Sequence, residues 1–123
     1  MGRVYYNKLV RDNIKAKIEG KGELCEVREI TDTQEFEQEL LKKVIEEAGA
    51  LAHTGDRGEF LQEYTDLMIV LDALTALMEF SEADIKTAIA ENVEKKGLYK
   101  NRHFLLWSAK GDYKSNETPQ GIK

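Results

Sequence analysis

The sequence predicts a mostly α-helical protein, a bundle of four main helices with a small two-stranded β element. Three observations carry this. Apolar side chains recur at three- and four-residue spacing from 33 to 53 and again from about 59 to 80, the period of helices packed on a core. These two runs flank a short break, Thr54-Gly55-Asp56-Arg57-Gly58, which reads as the turn of a helical hairpin. Start and stop signals bracket the helices: Thr31-Asp32-Thr33 with Glu35 before the first long run, Thr54-Gly55 after it, Ser81 before a fourth helix and Gly97 behind that one.

The first helix is expected within residues 4–19, with Leu9, Val10, Ile14 and Ile18 at helical spacing, and Gly20 and Gly22 ending it. Its polar face carries Lys8, Arg11 and Asp12. The plain reading of those charges is a solvated face; the sharper one is phosphate binding by Lys8 and Arg11. Residues 23–30 show weak alternation through Cys25 and Val27, predicting a short strand that could pair with the apolar run His103 to Trp107.

The first long helix, Thr33 to His53, aligns Phe36, Leu40, Val44, Ala48 and Leu51 in one stripe, widened by Leu41, Ile45 and Ala52. The second, Glu59 to Phe80, is apolar on most of its sides, including Phe60, Leu61, Tyr64, Met68, Val70 and Leu74. A helix of that kind is buried on most sides. In a chain of 123 residues this points to a second copy covering the remainder, hence a homo-oligomer. The fourth helix, Glu82 to Lys96, carries Asn92, Lys95 and Lys96. From Lys110 the chain turns polar. The expectation is one domain over 1–109 and a disordered tail over 110–123.

Composition narrows the function. Eighteen basic against 23 acidic residues give a net charge of −5 with no basic cluster, which argues against duplex nucleic acid as the main partner. The single cysteine, Cys25, excludes an internal disulfide and fits a reducing compartment. His53 and His103 are both distant from it in sequence, so a catalytic thiol is not expected. No run reaches the roughly 18 apolar residues of a membrane span, and the N-terminus lacks a signal-peptide core. The chain is expected to be cytoplasmic.

The chemistry concentrates in the hairpin. Glu46 and Glu47 lie on its first arm, and Glu59, Glu63 and Asp66 on its second. With the turn centred on Asp56, Glu46 faces Asp66 and Glu63 faces Gly49. Glu63 and Asp66 share a helix face, and packed helices lie about 8–10 Å apart, so three or four acids converge. Two like charges at ~5 Å repel by roughly 3 kcal/mol at an effective dielectric of ~20. A cation reverses the sign, and hard oxygen ligands suit Mg²⁺. Asp66 stands out because it interrupts an apolar run, where a carboxylate is costly unless paired or metal-bound.

Four segments resemble motifs of the MazG-like nucleotide pyrophosphohydrolases, in particular their phosphoribosyl-ATP pyrophosphohydrolase-like subgroup. Tyr6 to Asp12 reads YNKLVRD, Lys43 to Leu51 reads KVIEEAGAL, Glu63 to Leu74 reads EYTDLMIVLDAL, and Glu94 to Leu106 reads EKKGLYKNRHFLL. The similarity spans about residues 5–107, with the motifs in order at the family's spacing. It implies an all-α bundle with a small β element, assembled as a homodimer or homotetramer. The implied reaction is Mg²⁺-dependent hydrolysis of a nucleoside triphosphate to the monophosphate and pyrophosphate, with Mn²⁺ as a substitute ion. The family's metal ligands are an E-x-x-E pair and an E-x-x-D pair. Glu63 and Asp66 match the second. Glu47 matches the first acid of the first pair, and the other falls on Ala50. Glu46 is a candidate replacement, with His53 a weaker one. The family's proline after RDxI is also absent, since Lys15 follows Ile14.

The resemblance thus implies Glu47, Glu63 and Asp66 as metal ligands and Glu46 or Glu47 as base. Lys8, Arg11, Asn92, Lys95 and Lys96 are its implied substrate-binding groups. The departure at Ala50 motivates a rival reading, a catalytically impaired nucleotide-binding or protein-interaction module on the same fold. A third reading is a plain helical bundle whose acids form a solvated face.

Overall fold

The computed structural model describes residues 2–109, and the tail expected at 110–123 lies outside them. Four helices follow in order: α1 (Ile14–Gly20), α2 (Thr33–Ala52), α3 (Arg57–Leu77) and α4 (Glu82–Lys96). The chain divides into two compact units, Met1–Asp84 and Ile85–Lys123, and the boundary falls within the first turn of α4.

The helical hairpin is the centre of the first unit. Asp32 caps α2, its side chain accepting from the Gln34 N–H, and Asp56 caps α3, accepting from the Glu59 N–H at 2.8 Å. Glu59 reaches back in turn and accepts from the Gly55 N–H at 2.8 Å. On the other side of the turn, the Thr54 hydroxyl donates to the Leu51 carbonyl at 3.1 Å. The connection therefore satisfies its own polar groups from both ends, which fixes where each long helix starts and stops. The core between the arms is small. Leu40 of α2 and Val70 and Leu74 of α3 are the buried side chains among the described residues. Leu9, Phe36, Val44, Ala73 and Leu77 pack around them.

Helix α3 ends three residues before the periodicity does. The Phe80 N–H donates to the Thr75 carbonyl and the Glu79 N–H to the Ala76 carbonyl, both at 3.0 Å. This is the doubled bond pattern that closes a helix through a left-handed residue. Glu79 fills that position at φ 62°, where glycine is the usual occupant, so the sequence carries no glycine signal there. The same pattern closes α1 with Gly22 at φ 81°, as its glycine suggests.

Two expectations need correction. The first helix does not begin near residue 4: α1 spans Ile14–Gly20 alone, and residues 2–13 form a non-helical arm with Asn7 at φ 46°. Leu9 fits helical spacing with Ile14 and Ile18, yet its apolar surface serves to pack the arm on the hairpin core. Nor is there a strand among the described residues. Residues 23–30 and 103–107 both lack one, with Leu24 and Phe104 exposed. Arg28 instead forks onto Glu35 in the first turn of α2. Weak alternation without a buried face gives an extended segment no reason to form a ladder.

Among the described residues, α3 is buried along one side only. Val70 and Leu74 are buried, whereas Leu61 is 62% exposed, and Phe60, Tyr64, Met68 and Ile69 are also open. Phe60 and Tyr64, one turn apart, stack with ring centroids 6.4 Å apart.

Candidate functional site

The hairpin brings three acids together. α2 contributes Glu47; α3 contributes Glu63 and Asp66, three residues apart on one face. All three are half-buried, and one carboxylate oxygen from each lies within 4.8 Å of the others. Such closeness has an electrostatic signature at Glu47. Burial raises its pKa above the ordinary carboxylate value; hydrogen bonding to Glu63 and the charge of Asp66 push the same way, while Lys43 opposes them. A half-buried group that resists ionisation beside two further acids is what an uncompensated oxygen cluster produces.

Cations border the cluster. Arg11 lies 3.5 Å from Asp66 Oδ1. Lys43 Nζ lies 3.0 Å from Glu46 Oε2 and 3.9 Å from Glu47. Lys8 donates to Glu46 Oε1 at 3.0 Å. Held by two ammonium groups, Glu46 has its pKa lowered, through hydrogen bonds from Lys8 and then Lys43. Glu46 is thus not one of the three clustered acids. It points to the lysines, and Glu47, its neighbour in sequence, takes the place opposite Glu63 and Asp66. Lys8 and Arg11 both come from the arm rather than from the polar face of a helix.

The remaining candidates fall elsewhere. His53 sits at the C-cap of α2, with Nδ1 2.8 Å from the Gly49 carbonyl oxygen, and is not a member of the cluster. Ala50 is exposed on α2, one turn beyond Glu47. Asn92, Lys95 and Lys96 are exposed on α4, in the second unit. Lys43 is the residue that sequence reasoning missed. Its side chain is only 16% exposed, and it serves both Glu46 and Glu47. The signal for it was present in the spacing, since lysine three and four residues before two glutamates shares their helix face.

The donor set consists of carboxylate oxygens alone, the chemistry that Mg²⁺ and Mn²⁺ accept. Three such groups, with waters, are enough for one Mg²⁺, which commonly takes only one or two carboxylates from a protein. Fold and site together define a helical hairpin bearing a three-carboxylate cluster rimmed by basic side chains. In comparisons with family models, curated proteins and solved structures, nothing matches this chain.

Proposed function

We propose that this chain is a divalent-metal-dependent nucleoside triphosphate pyrophosphohydrolase, cleaving the α–β phosphoanhydride to give the monophosphate and pyrophosphate. The observation that carries the reading is the convergence of Glu47, Glu63 and Asp66 within 4.8 Å, with Arg11 beside Asp66 and Lys43 beside Glu47. The motif segments that resemble the MazG-like pyrophosphohydrolases contain these same residues, and the reaction proposed is the one that resemblance implies.

Glu47, Glu63 and Asp66 would hold the ion, Mg²⁺ with Mn²⁺ as a substitute. When bound, the ion neutralises phosphate charge and lowers the pKa of a bound water. Glu47, which faces the cluster, is the candidate proton acceptor, whereas Glu46 is turned to Lys8 and Lys43. In the reaction, water oxygen bonds to the α-phosphorus and gives its proton to Glu47. The bond from that phosphorus to the bridging oxygen breaks, and pyrophosphate leaves with the electron pair. Lys8 and Arg11 bind the substrate's phosphates and offset the charge that builds on them. The expected location is the cytoplasm.

Pyrophosphate release from a panel of ribo- and deoxyribonucleoside triphosphates, with Mg²⁺ and with EDTA, tests this directly. Metal-dependent pyrophosphate from at least one of them is the expected result. A folded protein that releases none, yet binds nucleotide saturably with Mg²⁺, would instead favour the impaired binding module. Ala50, which leaves three acids where the resembled motif has four, is what gives that second reading its weight.

The open face of α3 is assigned to self-association as a homodimer or homotetramer, since an apolar row of this extent is seldom left to water. Light scattering at micromolar concentration should give at least twice the 14.0 kDa chain mass, and a monomer mass would remove the assignment.

A further inference from the structure

Resting on the metal-site reading, we propose that the N-terminal arm is a cation-operated strap, in which Arg11 is the resident counter-charge of Asp66 and leaves it when a divalent ion enters the cluster. The arm has no helix of its own before Ile14, yet it is held at three successive points. Leu9 packs against the Leu40, Val70 and Leu74 core. The cations on either side of it go to different helices: Lys8 to Glu46 of α2 at 3.0 Å, Arg11 to Asp66 of α3 at 3.5 Å. One short segment therefore ties both arms of the hairpin at the acidic end of the site.

The two ties differ in kind. Lys8 makes a hydrogen bond with an acid outside the cluster. Arg11 is 57% exposed, and its 3.5 Å separation is longer than a good N–H···O bond, so it supplies charge without a lock. Asp66 is also the clustered acid it touches. A dication drawn to Asp66, Glu47 and Glu63 meets the guanidinium charge at the same carboxylate, and the two compete for it. Competition of this kind is reciprocal: whatever affinity Arg11 costs the ion, the ion costs Arg11. Because Leu9 keeps the arm anchored, a released Arg11 stays near the cluster. There it can meet an anionic group brought in by the ion's ligand.

Mn²⁺ titration of the full chain, followed by electron paramagnetic resonance, tests the competition without any turnover. Arg11→Gln should bind Mn²⁺ about three- to fivefold more tightly than the wild type, the scale an exposed ion pair commands. Equal or weaker binding by the variant overturns the proposal. Trypsin, which cuts after lysine and arginine, supplies the second readout: Mg²⁺ should speed cleavage after Arg11 several-fold relative to EDTA at matched ionic strength, and an unchanged rate counts against release. If neither protein binds Mn²⁺, the metal-site reading fails and ion-driven release fails with it. The strap contact itself is then decided by Asp66→Asn in EDTA, where faster cleavage after Arg11 upholds the contact and an unaltered rate rejects it.

Discussion

Replacing Asp66 by asparagine is expected to abolish pyrophosphate release, lowering the rate at least about a hundredfold, while leaving the helical circular dichroism intact. Asparagine keeps the shape of aspartate and removes its charge, so any loss is attributable to the cluster and not to packing. The same substitution should relieve the metal-free protein. Asp66 is one of the causes that raise the pKa of Glu47. A carboxylate whose folded-state pKa lies above its unfolded value favours folding below the unfolded value and loses that contribution as pH rises through the folded one. In EDTA, wild-type stability should therefore decline as pH climbs out of the ordinary carboxylate range, and the decline should be shallower in Asp66→Asn. Thermal melts with and without Mg²⁺ complete the comparison, with stabilisation by the ion expected in the wild type and missing in the variant. Full retained activity would dispose of the metal-site reading.

The second large effect concerns the core. Leu74→Ala should cost about 3 kcal/mol of unfolding free energy, against a total of roughly 5–15 kcal/mol for a domain. Leu74 is 6% exposed and belongs to a buried set of only three side chains among the described residues, so little surrounding core is present to take up its loss. Urea unfolding at one fixed protein concentration measures the cost free of any shift from self-association. A change below about 1 kcal/mol would mean that the stabilising core lies elsewhere, for instance along the open face of α3 against a second copy.

These two residues also mark how far the sequence could be read. The stripe through Phe36, Leu40 and Val44 and the broad apolar run through Val70 and Leu74 disclosed α2 and α3, and the break from Thr54 to Gly58 disclosed the turn between them. The start of α4 was equally legible, because Ser81 and Asp84 exchange backbone hydrogen bonds at that end. Glu63 and Asp66 followed from spacing alone. Opposite them the symmetry estimate chose Glu46, whereas Glu47 occupies the place. One residue along a helix turns a side chain by about 100°, a step that pairing by distance from the turn cannot resolve. The arm was misread because Leu9 and Val10 satisfy a helical template locally, although Leu9 answers to a long-range contact. The early end of α3 rests on Glu79 accepting a conformation its type rarely adopts. Lys43 went unnoticed because a lysine on a charged helix face usually has only water to serve.

The turn from His53 to Asp56, bonded at both its ends, also bears on how the protein comes into being. Everything in the acidic cluster lies between residues 47 and 66, on helices joined by four residues. Closing a connection that short costs little chain entropy and takes well under a microsecond. Helices of this length form within about a microsecond. The carboxylates can thus meet as soon as two adjacent helices dock, before distant parts of the chain have found their places. The hairpin would emerge as a folding unit with its three acids already together while the rest of the chain is still being made.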